Sequence, residues 1–270
     1  MDFMTEVALE KADWEILPAE RMFFVGSCFA DHLGRRFVEN RFRAVVNPYG
    51  VMYNPASVNH TVERFLSENQ GQPPIDIAIF TLGTNHVYVL KETGEIVDNC
   101  QKRPQRLFDE REMSIEECVA ELSKAIVALQ GQGVKHVVLT VSPIRYAKYG
   151  YHGSRLSKAT LLLAADRLVR KYPGVVNYFP AYEIMNDELR DYRFYKEDML
   201  HPSEQAVEYI WQKFRLCFFG KGAERFLGEW RPIREALGHK PFNPDSEATK
   251  QFLAQTEEKK RKFEEKYHLV

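Results

Sequence analysis

Arg21-Met22-Phe23-Phe24-Val25-Gly26-Ser27-Cys28-Phe29-Ala30-Asp31-His32 reads as a buried strand that runs into a tight turn and then a helix. From Cys28 to Asn40 the apolar residues Phe29, Leu33, Phe37 and Val38 fall at helical spacing, opposite Asp31, Arg35, Arg36 and Glu39. Ser27 therefore stands where a strand hands over to a helix. Backbone N–H groups are unpaired there and the helix dipole favours negative charge. Two uses fit such a serine. It can cap the helix, or it can be a nucleophile whose attack generates an oxyanion. Its neighbour Cys28 is either a thiol nucleophile or a small buried apolar residue.

Outward from this stretch, strands and helices alternate. A short strand, Ala44-Val45-Val46, meets the turn cluster Asn47-Pro48-Tyr49-Gly50, and Asn54-Pro55 opens a helix with proline in its first turn. The run 75–82 reads as a central strand covered on both faces and ends in Gly83-Thr84-Asn85-His86. Residues 87–90 and 95–97 flank Glu92-Thr93-Gly94 as a hairpin or flap. Ser114 and Glu117 form a capping box for the next helix, which Gly131 and Gly133 stop. His136–Val141 is another buried strand, ending at Ser142-Pro143. The aromatic, basic stretch 145–156 is expected to be a surface loop, with a helix from Ser157 to about Lys171. A strand at 175–179, a short helix at 182–190, a polar-aromatic loop at 193–202 and a helix from Ser203 follow. Residues 220–245 are punctuated by Gly and Pro, and a charged helix starts at Glu247, with Glu258–Lys262 and Glu257–Arg261 as spaced ion pairs. Such alternation predicts a parallel sheet with helices on both faces, and ligands outside the carboxyl ends of its strands. The turns at Ser27, Gly50, Gly83–Asn85 and Ser142 should then open on one edge.

Composition narrows the function classes. The 270 residues carry 37 Lys+Arg against 38 Asp+Glu, and 44% are hydrophobic, enough for one sizeable α/β domain. The near-neutral charge argues against a nucleic-acid binder. No apolar run approaches the ~18 residues of a membrane helix, so no membrane partner is expected. The acidic start Met1-Asp2-Phe3-Met4-Thr5-Glu6 has no basic n-region followed by an apolar run, so a cytoplasmic location is expected. Cys28, Cys100, Cys118 and Cys217 are scattered without metal spacing and read as free thiols.

A serine nucleophile needs a base within reach and a group to orient that base. Asp198-Met199-Leu200-His201 offers both, since a turn can bring residues three apart to one side. An ordinary surface pair is the alternative. The oxyanion calls for donors aimed at one point. The backbone N–H of Ser27 or Cys28, the N–H of Gly50 and the side-chain amide of Asn85 are the candidates; Asn85 could equally brace its own turn. His86 is read as a substrate contact or a structural histidine. Arg145 and His152 belong to a basic aromatic stretch that could grip an anionic or sugar substrate, or could be solvated; Lys158 opens the next helix and faces either the site or solvent. A metal site at His86, His152 and His201 has no supporting spacing.

Taken together, Gly26-Ser27, Gly50, Gly83-x-Asn85 and Asp198-x-x-His201 resemble the four blocks of the SGNH/GDSL hydrolase superfamily. Gly26-Ser27-Cys28-Phe29-Ala30 spells the signature of the GSCFA family. Asn47-Pro48-Tyr49-Gly50, Tyr53-Asn54-Pro55, Thr81-Leu82-Gly83-Thr84, Asn99-Cys100, Thr140-Val141-Ser142-Pro143, residues 157–163 and Asp198-Met199-x-His201-Pro202-Ser203 are also similar to that family. Two departures from the superfamily pattern are His86, where the third block has Asp, and Gly26, where GDSL members have Asp before the serine. The resemblance spans roughly residues 20–220. It implies a three-layer α/β/α, flavodoxin-like parallel sheet, with residues 221–270 as a C-terminal helical extension of one domain. It implies Ser27 as nucleophile, His201 as base and Asp198 as orienter. The expected function is a serine esterase or O-acyltransferase acting on a carbohydrate or other small ester, with no metal or organic cofactor. A non-catalytic carbohydrate-binding or scaffold protein on the same fold is the alternative.

Overall fold

The run Arg21–Gly26 forms strand β1 of a five-stranded sheet. Its companions are β2 (Arg43–Val46), β3 (Ile77–Leu82), β7 (His136–Val141) and β8 (Val176–Tyr178), in the order β2-β1-β3-β7-β8. Every pairing is parallel. The computed structural model describes residues 4–98, 100, 103–243 and 246–269. Residues 1–3 of the lead-in, and Asn99 of the Asn99-Cys100 pair, lie outside them.

Alternate side chains of β1 feed two separate cores, the consequence of a period of two in a strand covered on both faces. Met22 and Phe24 pack with Phe29, Leu33 and Phe37 of α1 (Cys28–Glu39) and with Ile210 and Phe214 of α6 (Glu204–Phe218). Phe23 and Val25 face α2 (Pro55–Glu68), α3 (Ile115–Gly131) and α4 (Gly150–Lys171), which contribute Val62, Leu122 and Leu161. β3 divides likewise, Ile77 and Ile79 against Ala78, Phe80 and Leu82. This is the three-layer SGNH-hydrolase-like fold. Local chemistry starts the helices as expected. The Asn54 side chain accepts from Ser57 N–H with Pro55 in the first turn, and Ser114 and Glu117 close a reciprocal capping box.

Three elements depart from expectation. The stretch 145–156 is only partly loop: α4 begins at Gly150 rather than at Ser157. Gly150 and Gly153 weaken helix propensity, but the Ser154 hydroxyl accepts from Tyr146 N–H at 3.3 Å and ties the extra turns down. The stretch 220–245 holds a helix, α7 (Lys221–Leu237), with Pro232 inside it. Burial of Phe226, Leu227, Trp230 and Ile233 offsets what the proline costs. The third is β6 (Phe108–Glu112), mostly charged and exposed, with no pattern to mark it. It pairs through its backbone with β4 (His86–Leu90), which also pairs β5 (Ile96–Val97) in a small antiparallel sheet.

The charged helix α8 (Glu247–Lys266) lies on α7 through Phe263, whose ring is 4.9 Å from Phe226 and 5.1 Å from Trp230. Lys262 pairs Glu258 at 3.3 Å as spaced, but Arg261 pairs Glu258 and Glu265 in place of Glu257.

Gly26 ends β1 with φ +145, and a Cβ built on it would lie 2.2 Å from the Thr81 carbonyl oxygen. Neither the backbone angle nor the space suits a side chain. Gly26→Ala should lose on the order of 3 kcal/mol of stability, from strain and overpacking together. Urea unfolding checks this, and an unchanged midpoint would contradict so close an approach.

Candidate active site

Parallel register levels the carboxyl ends of the central strands. Gly26 stands beside Thr81, and Thr81 beside Thr140. The loops that leave there carry Ser27, Gly83 and Ser142. Ser27 caps α1, its Oγ accepting from Phe29 N–H at 3.2 Å, and the same oxygen is 3.1 Å from Thr81 Oγ1. The N–H takes one lone pair and leaves the hydroxyl proton free to be donated. The cap and a nucleophile's placement thus coexist in one side chain. Asn47 fixes the turn from the other side: its Oδ1 accepts from Gly26 N–H at 2.9 Å and its Nδ2 donates to Asp31 at 2.7 Å.

The partner loop is built around a carboxylate. Asp198 Oδ1 accepts from Leu200 N–H at 2.8 Å and His201 N–H at 2.9 Å, while Oδ2 lies 2.6 Å from His201 Nδ1. Met199 takes φ 57 to close this turn. Lys196 N–H donates to His201 O at 2.7 Å, and Tyr195 and Pro202 form a bridge. The two backbone donors, then the His201 ring, hold the Asp198 carboxyl down at about 2. An ionised carboxylate only accepts, so the tautomer it selects has the proton on Nδ1 and the lone pair on Nε2.

Ser27 and His201 line one cavity of about 230 Å³, together with Cys28, Tyr53, Tyr146 and Lys158. They are not hydrogen-bonded to each other; Ser27 Oγ holds to Thr81 instead. Arg145 also lines it and joins its wall to the histidine loop. Its N–H donates to Leu200 O at 3.0 Å, its guanidinium donates to Met199 O at 3.0 Å and lies over the Tyr151 ring at 4.2 Å. His152 is exposed on the first turn of α4 and takes no part in the cavity. His86 is also outside it. Its ring stacks on Tyr149 at 3.5 Å, and burial lowers its pKa, which keeps it neutral. A second cavity of about 340 Å³, beside His60 and Asp98, holds none of the strand-end groups. Among the described residues no group of three or more His, Cys, Asp or Glu could share a metal ion.

The expected oxyanion donors Ser27, Gly50 and Asn85 are engaged elsewhere. Ser27 N–H donates to Thr81 O at 2.9 Å, as a continuation of the sheet ladder. Gly50 is exposed, and its N–H closes the turn onto Asn47 O at 2.9 Å. Asn85 Nδ2 donates to Met113 O at 2.8 Å, and Asn85 O accepts from Met113 N–H at 2.9 Å. Asn85 therefore braces the start of α3, and neither it nor Gly50 lines the cavity. Of the expected backbone donors, Cys28 N–H alone has no acceptor among the described residues, and Cys28 lines the cavity.

Two adjacent residues of α4 grip the third strand-end loop instead. The Ser157 hydroxyl is 3.0 Å from Thr84 Oγ1 and accepts from Asn85 N–H at 3.0 Å. Lys158 is 3% exposed, and its Nζ donates to Gly83 O at 2.7 Å and Ser142 O at 2.8 Å. No carboxylate accompanies it, and burial pushes its pKa down to about 7. Sequence reasoning missed Tyr53 as a cavity residue and Thr81 as the hydroxyl that holds Ser27 Oγ. The place of Thr81 near the end of β3 was the available signal.

The GSCFA family profile matches residues 21–75 and 71–214. The chain belongs to the GSCFA family. A second profile, described as the GSCFA domain protein C-terminal domain, matches residues 230–270 of this GSCFA chain, across α7 and α8. No curated protein sequence matches it. Among solved structures, a mutant acetyl-xylooligosaccharide esterase from Geobacillus stearothermophilus shares 12% identity at TM-score 0.50, over 75% of this chain and 95% of that one. A lipolytic G-D-S-L family member from Veillonella parvula shares 14% at TM-score 0.47, over 72% and 96%. A carbohydrate esterase family 3 protein from Talaromyces cellulolyticus shares 8% at TM-score 0.43, over 78% and 99%. The likeness to the acetyl-xylooligosaccharide esterase agrees with the three-layer α/β fold of the GSCFA chain.

Burial of Lys158 has a measurable consequence. Between about 7 and its ordinary 10.5 the unfolded chain holds this proton and the folded chain releases it. The unfolded state then binds more protons, so stability rises with pH across that window. Lys158→Met has nothing to titrate there. Urea unfolding from about pH 6 to about pH 10 should show the native chain gaining on the variant as pH rises. Parallel curves would mean an ammonium as solvated as any on the surface.

Proposed function

We propose that this protein is a serine esterase or O-acyltransferase that removes or transfers a short acyl group on a carbohydrate or other small ester. The observation that carries this reading is the shared cavity. Ser27, with a donatable proton at the head of α1, opens onto the same space as a histidine whose outer nitrogen is oriented by an ionised aspartate. Ser27 Oγ bonds to the ester carbonyl carbon and its proton passes to His201 Nε2. His201 then protonates the leaving alcohol, and water or an acceptor hydroxyl resolves the acyl-enzyme. A cavity of about 230 Å³ suits a short acyl group, and its mouth offers Tyr53, Tyr146 and Arg145 to a sugar ring. One structural relative is an acetyl-xylooligosaccharide esterase, which makes acetylated sugars a natural screen.

One observation favours a second reading, a binding protein on the same fold. Ser27 Oγ is held by Thr81 and the helix cap rather than by His201. Resting hydrogen bonds of this kind commonly tighten only with substrate bound, so the assignment turns on reactivity. A fluorophosphonate probe should label the folded protein at Ser27, and Ser27→Ala should abolish both labelling and turnover of p-nitrophenyl acetate. Asp198→Asn should lower turnover on the order of 10³-fold or more by releasing the histidine's tautomer. Folded protein that resists the probe, with turnover indifferent to Ser27→Ala, would favour the binding protein.

A further inference from the structure

An attacking serine needs somewhere for the negative charge of the carbonyl oxygen to go. In this chain the familiar places are occupied: the Ser27, Gly50 and Asn85 donors bond to Thr81, Asn47 and Met113. The backbone donors after β3 are also engaged. Gly83 and Thr84 N–H share Tyr53 O at 2.9 and 2.8 Å, and Asn85 N–H meets Ser157. Lys158 is different. Its ammonium has three N–H donors, and Gly83 O and Ser142 O accept two of them. The third has no acceptor among the described residues, and the residue lines the cavity of Ser27 and His201. It comes from α4 and is tied to the residues that follow β3 and β7, with its charge almost wholly removed from water.

We propose that the third N–H of the Lys158 ammonium, with Cys28 N–H, receives the oxyanion formed when Ser27 attacks an acyl carbonyl. The proposal rests on the reading of Ser27 as nucleophile. As the Ser27 Oγ–carbon bond forms and the serine proton moves to His201 Nε2, the carbonyl π pair shifts onto oxygen, which accepts from Lys158 Nζ. No proton leaves the lysine. On collapse the pair returns to the carbonyl, the carbon–alkoxide bond breaks, and His201 supplies the proton to the alcohol. The two fixed carbonyls aim the ammonium without a carboxylate that would neutralise it. A preorganised charge in a water-poor cavity is the arrangement that stabilises such a transition state most. It also accounts for a lysine kept at a site where desolvation opposes its charge.

The groups that face Lys158 define its pH behaviour. They are Cys28, Tyr53, Arg145, Tyr146, Lys148 and His201 around the cavity, and the Tyr182 ring at 6.0 Å. No carboxylate lines the cavity. The ammonium should therefore lose its proton as pH rises through the neutral to mildly alkaline range, taking the donor with it.

The experiment uses a fluorophosphonate probe, whose P=O oxygen gains charge as serine displaces fluoride, on the native chain and on Lys158→Met. Mass spectrometry locates the label, and thermal melting reports folding. The expected result is labelling of Ser27 in the native chain and a rate about 10²–10³-fold slower in Lys158→Met. The native rate should also fall at alkaline pH, and that falling limb should be missing in the variant. A variant labelled within about threefold of the native rate overturns the role of Lys158 and leaves the serine enzyme intact. A folded native chain that is not labelled overturns the nucleophile, and this proposal with it. If Lys158→Met does not fold, the native profile decides: a labelling rate undiminished up to about pH 10 overturns the proposal, because a buried lysine would by then be neutral.

Discussion

Everything at the strand ends depends on how closely β1 is allowed to approach β3. Gly26 has no side chain and turns through φ +145, which lets Ser27 N–H continue the ladder onto Thr81 O. That one extra rung fixes Ser27 at the mouth of the sheet and not beyond it. It also starts α1 at Cys28, so the serine becomes the cap of the helix it introduces. The Asn47 amide then locks the glycine from the β2 side. A few hydrogen bonds around one missing methyl group decide where Ser27 can be.

The same constraint explains why donors expected at this site are engaged elsewhere. A serine pulled back into the ladder uses its own N–H there. The loop after β3 must follow the level of β1, and Tyr53 O takes its first two N–H groups. Asn85 is thereby carried past the cavity to Met113. What remains near the serine from outside the sheet is a residue of α4. The motif Ser157-Lys158 accordingly acts as a two-point clasp, the hydroxyl holding the Thr84–Asn85 backbone and the ammonium holding Gly83 and Ser142.

How much of this could be read from the chain follows from the range of each interaction. β7 was legible to the residue because His136–Val141 is a mostly apolar, β-branched run bounded by turn residues. The caps at Asn54 and Ser114 were legible because both partners lie within one helical turn. The Asp198–His201 pair was legible for the same reason, as its carboxylate serves neighbours two and three residues on. Long-range choices left no local trace. β6 is a charged edge defined by what it pairs with, and α7 keeps Pro232 because four buried apolar residues hold it down. Whether an amide hydrogen is free for a substrate is likewise a tertiary fact: Asn85 and Met113 are far apart in sequence and bond reciprocally in space. Residue types marked the candidates, and the hydrogen bonds that engage them are set by the tertiary structure.

The Asp198 carboxylate ties two properties that other sites keep apart. One oxygen holds the loop backbone in its turn and the other holds the imidazole. Loop conformation and ring orientation are therefore a single variable. Any event that opens the turn, such as a ligand wedged against Leu200 or a β-branched residue forced into the left-handed angle of Met199, also turns the histidine away from the cavity. Arg145 reads the same loop from the far side, through Met199 O and Leu200 O. What occupies the cavity mouth is thus mechanically coupled to the aim of the histidine, with no moving domain required.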